Sequence, residues 1–222
     1  MNLMLLFPED FIQDTEKARV SGRRHKHVTK ILKAHKGDKL CVGMLNEKIG
    51  TGRITYLDAK YLEMEVELDK DPPPALPVTL ILALPRPPVL KRVLLSVATV
   101  GVKKIFFINS SRVEKSFWKS SALKNESIKE QLILGLEQAK DTILPEVFQR
   151  PLFKPFVEDE LPGLLKGTLP ILSHPEGAKG YPEKASGYVT LAVGPEGGFI
   201  PYEVEKLRAT GFTTVNLGER IL

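Results

Sequence analysis

The feature that most constrains the fold is a glycine-rich stretch near the C-terminus, Gly194-Pro-Glu-Gly-Gly198. It follows Tyr188–Val193, an apolar run rich in β-formers that predicts a buried strand. Pro201 then lies where the first turn of a helix tolerates proline, and Gly211 is typical of a helix end before a further strand at residues 212–217. This order predicts a βαβ unit whose two turns lie at the carboxyl edge of a sheet, where α/β proteins bind ligands.

The second half of the chain alternates strands with helices. A helix at residues 89–100 is closed by Gly101, and a longer helix carries Ile128, Leu132 and Leu136 on one face and ends near Asp141. Apolar runs predict further strands at residues 78–84, 104–108 and 169–172. The alternation predicts an α/β domain with a mostly parallel sheet covered on both faces.

The first seventy residues consist of short β-leaning pieces, with strands predicted at residues 39–44, 52–57 and 61–68. The third alternates apolar residues with glutamates, as a half-exposed strand does. Residues 21–36 form a basic segment with Val28, Ile31 and Leu32 at helical spacing. A small β-barrel with one basic helix or turn fits this half.

A proline-rich stretch separates the two halves, because consecutive prolines stiffen the backbone and remove hydrogen-bond donors that a sheet needs. We therefore expect a barrel domain at residues 1–71, a linker at residues 72–77 and an α/β domain at residues 78–222.

Composition limits the function classes. The 222 residues are 42% hydrophobic and 27% charged, which is typical of a globular chain. The formal net charge of +5 fits a polyanionic partner or simple solubility, and charge alone leaves both open. A single cysteine, Cys41, excludes an internal disulfide and fits a reducing cytosol. Residues 1–7 are too short for a signal peptide and no segment has the length to span a bilayer, so we expect a cytoplasmic protein with no membrane partner.

Three loops carry a family resemblance: Leu172-Ser-His-Pro-Glu176, Gly194-Pro-Glu-Gly-Gly198 and Leu217-Gly-Glu-Arg-Ile-Leu222. In this order they resemble the RsmE family of SPOUT-class RNA methyltransferases. The N-terminal half is also similar, because the segment from Arg24 to Lys33 resembles the RNA-binding, PUA-like barrel of that family. Ala83-Leu-Pro-Arg86 is similar to a further sequence motif of that family.

The resemblance implies a fold and an activity. The fold would be a PUA-like β-barrel followed by a SPOUT domain with a C-terminal trefoil knot. Members work as homodimers and transfer a methyl group from S-adenosylmethionine to N3 of one uridine in the 16S ribosomal RNA of the small ribosomal subunit. No metal is implied.

The resemblance also implies site residues. Glycines suit a site where a bent nucleoside lies against backbone, because they have no Cβ. By similarity, the cofactor-binding residues are Leu172, His174, Gly194, Glu196, Gly197, Gly198, Leu217, Gly218, Ile221 and Leu222. The expected RNA-binding residues are Arg23, Arg24, His27, Lys30 and Arg86.

Arg220 is our candidate catalytic residue. Methyl transfer to N3 requires loss of the imide proton of uracil, and a cation near the carbonyls would stabilise the developing negative charge. The hypothesis gives Arg220 that role.

Each assignment has a simpler alternative. Without the resemblance, the residues favour Glu196 as a cap of the following helix and His174 as a hydrogen-bonded loop histidine. The arginines and lysines of residues 23–30 also fit a solvated surface.

The chain departs from the family pattern in places. Ser96 and Thr99 stand where members usually carry Lys and Glu, and Asp141 stands where an Arg is usual. These positions bear on the expected dimer interface or RNA contacts rather than on the cofactor pocket. Members also continue past the position of Leu222 with a final helix that threads the knot and covers the cofactor. A chain that ended at Leu222 would not close the knot normally, and we would expect lower cofactor affinity.

We therefore expect a uridine-N3 methyltransferase. The alternative from another class is a non-catalytic RNA-binding or ribosome-assembly protein on the same fold, which the departures at Ser96, Thr99 and Asp141 favour. A nucleotide hydrolase fits poorly, because no Gly-Lys-Ser/Thr follows the glycines.

Overall fold

A computed structural model of the chain describes residues 1–13, 15–175 and 187–216. These residues form two compact units. The first contains Met1–Pro74, Leu95–Gly101 and Glu130–Leu144, and the second contains Ala75–Leu94, Val102–Lys129 and the chain from Pro145 onward. Each unit has one sheet. The domain limits expected from the proline-rich stretch stay a prediction.

The first unit is built on a curled five-stranded sheet with strand order β1-β3-β4-β5-β2. Strands β1 and β3 run parallel and the other pairs run antiparallel. The predicted barrel is thus present as an open half-barrel. The strands are β1 Met4–Leu6, β2 Lys17–Ser21, β3 Lys39–Met44, β4 Ile49–Leu57 and β5 Tyr61–Lys70.

The alternation predicted for β5 is confirmed. Leu62, Met64 and Val66 are buried in the core of the curled sheet, and the glutamates between them face outward. Gly50 lies at a bulge in the pairing of β4 with β5, where a Cβ would lie 1.8 Å from the carbonyl oxygen of Glu67. Only glycine fits such close backbone approach.

The second unit contains a six-stranded, all-parallel sheet with strand order β11-β9-β10-β6-β7-β8. Its central strands are mainly apolar rather than strictly alternating, which is typical of a parallel sheet. The predicted parallel α/β sheet is therefore confirmed. The strands are β6 Leu76–Ala83, β7 Val102–Ile108, β8 Glu146–Arg150, β9 Thr168–Ser173, β10 Tyr188–Val193 and β11 Thr213–Val215.

Helices connect these strands. The longer ones agree with the predicted periodicity, whereas the segment between β8 and β9 was not predicted to be helical. The α-helices are α1 Gly22–His27, α2 Pro87–Thr99, α3 Asn125–Ala139, α4 Phe153–Pro155, α5 Leu161–Leu164 and α6 Pro201–Ala209. Val28–Leu32 and Phe156–Glu160 are single π-helical turns, and Pro8–Asp10, Phe117–Lys119 and Ser121–Leu123 are 3-10 turns. In the described parts of the chain, no helix has the length and apolarity to cross a membrane.

The strand order of the second sheet creates a topological switch point. From β6 the chain moves outward through β7 to β8, whereas β10 and β9 lie on the other side of β6 with β11 beyond them. The loops after β6 and β10 therefore leave in opposite directions, and a crevice opens between their carboxyl ends. The predicted trefoil knot involves residues 217–222, which lie outside the described residues, so it stays a prediction.

Candidate functional site

A cleft of about 660 Å³ opens at the carboxyl edge of the second unit's sheet. Its volume falls in the range of small-molecule sites. The described lining includes two arginines and one histidine but one glutamate, so basic side chains predominate. The described lining residues are Arg112, His174, Pro175, Gly197, Gly198, Phe199, Pro201, Val204, Glu205 and Arg208.

The glycine-rich loop after β10 forms one wall of the cleft. The Gly198 amide donates to the carbonyl oxygen of Pro195 at 2.7 Å, and Gly198 has φ +75°, a left-handed conformation that favours glycine. A Cβ on Gly194 would lie 3.1 Å from the Phe199 ring, and one on Gly197 would lie 3.0 Å from Cδ of Arg112. Side chains at these positions would crowd the loop and narrow the cleft.

The loop after β9 forms a second wall. His174 follows the last residue of β9, and its amide donates to the carbonyl oxygen of Val215 at 3.0 Å, which extends the pairing of β9 with β11. Leu172 is fully buried inside β9. The structure thus brings His174, Gly197 and Gly198 to one cleft, while the side chain of Leu172 belongs to the core.

Glu196 pairs with Arg86 across the switch point. Arg86 follows β6, and its Nε lies 2.9 Å from Oε1 of Glu196. Both side chains are more than half exposed, so the pair adds little stability. It does link the loops after β6 and β10, which the sequence assigned to RNA binding and cofactor binding respectively.

Arg112 was not among the predicted site residues. It lies in the turn after β7, lines the cleft and donates a hydrogen bond from Nη1 to the carbonyl oxygen of Gly197. The parallel register was the available signal, because β7 ends at the same sheet edge as β6 and β10. Arg208 and Glu205, on α6, were missed because nothing local marks which face of a short helix meets a cleft.

In the first unit, two predicted RNA-binding arginines have partners within the fold. Arg24 donates to both carboxylate oxygens of Asp10, at 2.6 and 2.8 Å, and to the carbonyl oxygen of Leu5. Arg23 pairs with the buried Glu137 at 2.8 Å. Arg24 therefore has a structural role, and contact of either residue with RNA stays a prediction.

The other two predicted RNA contacts differ in exposure. Lys30 is exposed, whereas His27 is half-buried. Partial burial and then the nearby N-terminal ammonium group lower the pKa of His27. The apolar face predicted for this segment is only partly present, since Val28 is buried but Ile31 and Leu32 are 68% and 49% exposed.

The departures from the family pattern have structural consequences in the first unit. Ser96 is exposed on α2. The Thr99 hydroxyl donates within α2 to the carbonyl oxygen of Leu95 at 2.8 Å. Asp141 is 2% exposed and accepts a hydrogen bond from the amide of Ile143 at 2.9 Å, so this carboxylate organises the turn after α3.

Part of the predicted site lies outside the described residues. This holds for the proposed catalytic Arg220 and for four of the proposed cofactor-binding residues, Leu217, Gly218, Ile221 and Leu222. Within the described ranges, no cluster of three or more histidine, cysteine or acidic side chains could hold a metal ion.

The cleft fits S-adenosylmethionine. Its volume is sufficient, and the glycine wall carries no side chains where a Cβ would intrude. Mixed polar and apolar lining suits a ligand with a charged amino-acid end and a flat base.

Comparison with known proteins agrees with the geometry. The chain is 27% identical to ribosomal RNA small subunit methyltransferase E of Treponema pallidum, over 100% of the chain and 85% of the relative. It is 31% identical to ribosomal RNA small subunit methyltransferase E 1 of Borreliella burgdorferi, over 66% of the chain and 60% of the relative.

A solved structure shares the fold. Ribosomal RNA small subunit methyltransferase E from Neisseria gonorrhoeae, crystallised with S-adenosyl methionine, matches with a TM-score of 0.76 at 21% identity. The match covers 100% of the chain and 91% of that structure. These similarities confirm the resemblance drawn from the three loops. The model of the RNA methyltransferase domain matches residues 72–222, which is more than half of the chain, and the chain therefore belongs to that family.

Proposed function

We propose that this protein transfers a methyl group from S-adenosylmethionine to N3 of a specific uridine in the 16S ribosomal RNA of the small ribosomal subunit. The observation that carries the proposal is the cleft at the carboxyl edge of the second unit's sheet, with its wall of glycines and its excess of basic side chains. Membership of the RNA methyltransferase domain family and the names of the relatives support it. The proposal includes a cytoplasmic homodimer.

The chain's own residues would contribute binding and alignment. Gly197 and Gly198 line the cleft without side chains that would exclude the cofactor, and His174 lines it from the loop after β9. S-adenosylmethionine, when bound, supplies a methyl group that its sulfonium has already activated. The remaining task of the protein is to hold the uracil N3 in line and to favour loss of its proton. Arg220 would stabilise the resulting negative charge.

The RNA would be bound mainly through phosphates. Lys30 in the first unit and Arg86 in the second unit are exposed. Such contacts give affinity without reading sequence, so we assign the choice of uridine to elements other than these cations.

The test is calorimetric titration of S-adenosylmethionine into the purified chain, followed by methyl transfer to small ribosomal subunits that lack the modification. We expect one saturable site per chain and one methylated uridine. Failure to bind the cofactor, together with retained RNA binding, would replace the proposal with the non-catalytic RNA-binding protein. Sedimentation on the same sample tests the homodimer, which requires twice the 24.7 kDa mass of one chain.

The role of Arg220 has its own test. Replacement by alanine should leave cofactor affinity close to that of the wild type and lower the single-turnover methylation rate by roughly a hundredfold. Methylation at the wild-type rate would remove Arg220 from the mechanism.

A further inference from the structure

Glu203 makes hydrogen bonds that its position in the helix alone does not require. It is the third residue of α6, it is 3% exposed, and its two carboxylate oxygens accept from two different elements. Oε2 accepts from the amide of Ile200 at 3.0 Å, which is the usual capping of a helix N-terminus. Oε1 accepts from the amide of Ser111 at 2.6 Å, and Ser111 lies 92 positions earlier in the chain.

The second bond fixes the turn that carries Arg112. This turn follows β7, and the amide of Val113 donates to the carbonyl oxygen of Ser110 at 3.0 Å within it. Arg112, the next residue after Ser111, extends from the turn to Gly197 in the wall of the cleft. One buried carboxylate thus holds both the start of α6 and the turn that carries Arg112, and both elements line the same cleft.

We propose that Glu203 is a positioning residue for cofactor binding, acting through the Ser111 amide to hold Arg112 against the glycine-rich loop. The inference rests on the proposed cofactor site and adds a residue that the three loops do not contain. The Ser111 N–H would lose its charged acceptor, so the turn would move to find another partner. Arg112 would move with it and leave the wall formed by Gly197 incomplete.

Replacement of Glu203 by glutamine separates the two bonds. The single amide oxygen can accept from only one of the two amides, and we expect it to keep the bond to Ile200, which lies within the first turn of the same helix. The amide nitrogen would then face the Ser111 N–H as a second donor. In Glu203→Gln we therefore expect the helix cap to remain and the turn to be released. Hydrogen exchange measures this without ligand: the Ser111 amide should exchange faster than in the wild type, while the Ile200 amide stays protected.

The functional test is a double-mutant cycle on the dissociation constant of S-adenosylmethionine. Glu203→Gln should weaken binding about tenfold, the order expected when one hydrogen bond to a charged acceptor is lost. In an Arg112→Ala background, Glu203→Gln should weaken cofactor binding by less than a further factor of about two, because the two residues act as one unit. Ser110→Ala is the matched control in the same turn, since its hydroxyl has no hydrogen-bond partner among the described residues, and we expect unchanged affinity.

Each outcome is decisive. Unchanged cofactor affinity in folded Glu203→Gln, or losses from Glu203 and Arg112 that multiply as independent effects, would overturn the positioning role. Equal protection of Ser111 in wild type and variant would do the same. If the wild type itself fails to bind S-adenosylmethionine, the proposed function fails, while the exchange experiment still tests the bond to Ser111.

Discussion

Arg24 carries one of the positive charges of the basic segment at residues 21–36, and the structure gives that charge a partner. Its side chain is 16% exposed and that of Asp10 is 8% exposed, and the two meet through paired hydrogen bonds. Its guanidinium also lies 4.9 Å from the Phe7 ring centre. A basic residue in a segment proposed to bind RNA can thus serve the fold.

Replacement of Arg24 by alanine should destabilise the first unit by about 3 kcal/mol, because Asp10 would remain buried without its partner. Urea denaturation followed by circular dichroism and by hydrogen exchange in β1–β5 measures this. Lys30→Ala, at an exposed position of the same segment, is the control and should change stability by less than about 0.5 kcal/mol. A loss for Arg24→Ala no larger than that of the control would show that the pair is unimportant for stability.

His27 and Lys30 make a second comparison at the scale of residues, this time for RNA binding. The pKa of His27 is lowered from its ordinary 6.5, first by burial, so the imidazole is neutral at neutral pH and cannot replace a counterion. Its charge would appear only as the pH falls through that lowered value.

At about pH 7.5, therefore, Lys30→Ala should reduce the slope of log affinity against log salt by about one, and His27→Ala should leave it unchanged. Filter binding to a fragment of small-subunit ribosomal RNA over a salt series measures both slopes. An equal reduction in the two variants would mean that His27 is protonated in the complex.

At the scale of elements, α2 and α3 approach closely within the first unit. A Cβ on Gly135 of α3 would lie 2.5 Å from the carbonyl oxygen of Leu95 and 2.7 Å from Cβ of Ala98. These are backbone and near-backbone atoms, so the contact cannot be relieved by rotating a flexible side chain. The absence of a side chain at residue 135 thus sets the spacing of the two helices.

Gly135→Ala should cost about 1–3 kcal/mol of stability, although alanine favours helix more than glycine does. Gly163→Ala in α5 is the opposite case, because nothing lies within 4 Å of the added Cβ. This substitution should increase the stability by about 0.5–1 kcal/mol. Thermal unfolding of both variants gives the comparison. Stabilisation by both substitutions would indicate that α2 and α3 separate without cost.

At the scale of the whole molecule, four of the five expected RNA contacts lie in the first unit, with Arg86 as the exception, and the described candidate contacts for the cofactor lie in the second unit. The described cleft residues all belong to the second unit, whereas the basic segment with Lys30 belongs to the first. The two binding functions should therefore be separable by substitution.

Gly197→Val should fill part of the cleft wall and weaken S-adenosylmethionine at least about tenfold, because its side chain meets Arg112, while leaving RNA affinity within about twofold. Lys30→Ala should weaken RNA binding and leave the affinity for S-adenosylmethionine unchanged. Calorimetry with S-adenosylmethionine and filter binding with RNA, on the same two variants, measure the two affinities. Loss of both affinities in Gly197→Val, with the fold intact, would contradict the division.

The sequence by itself determined the features that depend on local chemistry. The apolar runs of β6 and β10, the alternation in β5 and the turn at Gly194–Gly198 follow from side-chain period and from conformations that few residues adopt. The resemblance of three loops then identified the family. Strands without a marked pattern were not predicted, and β8, with its half-buried sequence Glu-Val-Phe-Gln-Arg, is an example. Its extended conformation depends on hydrogen bonds to the neighbouring β7 rather than on its own residues.

Only the tertiary structure decided which side chains meet. Nothing near Arg24 in sequence shows that its charge is neutralised by Asp10, and nothing near Glu203 indicates a bond to an amide 92 positions away. Arg112 became a cleft residue because parallel strands end at one edge, and Asp141 became a buried turn carboxylate because of how α3 ends. The physical reason is the same in each case: burial, hydrogen bonding and charge pairing depend on distance in space, which a one-dimensional pattern does not contain.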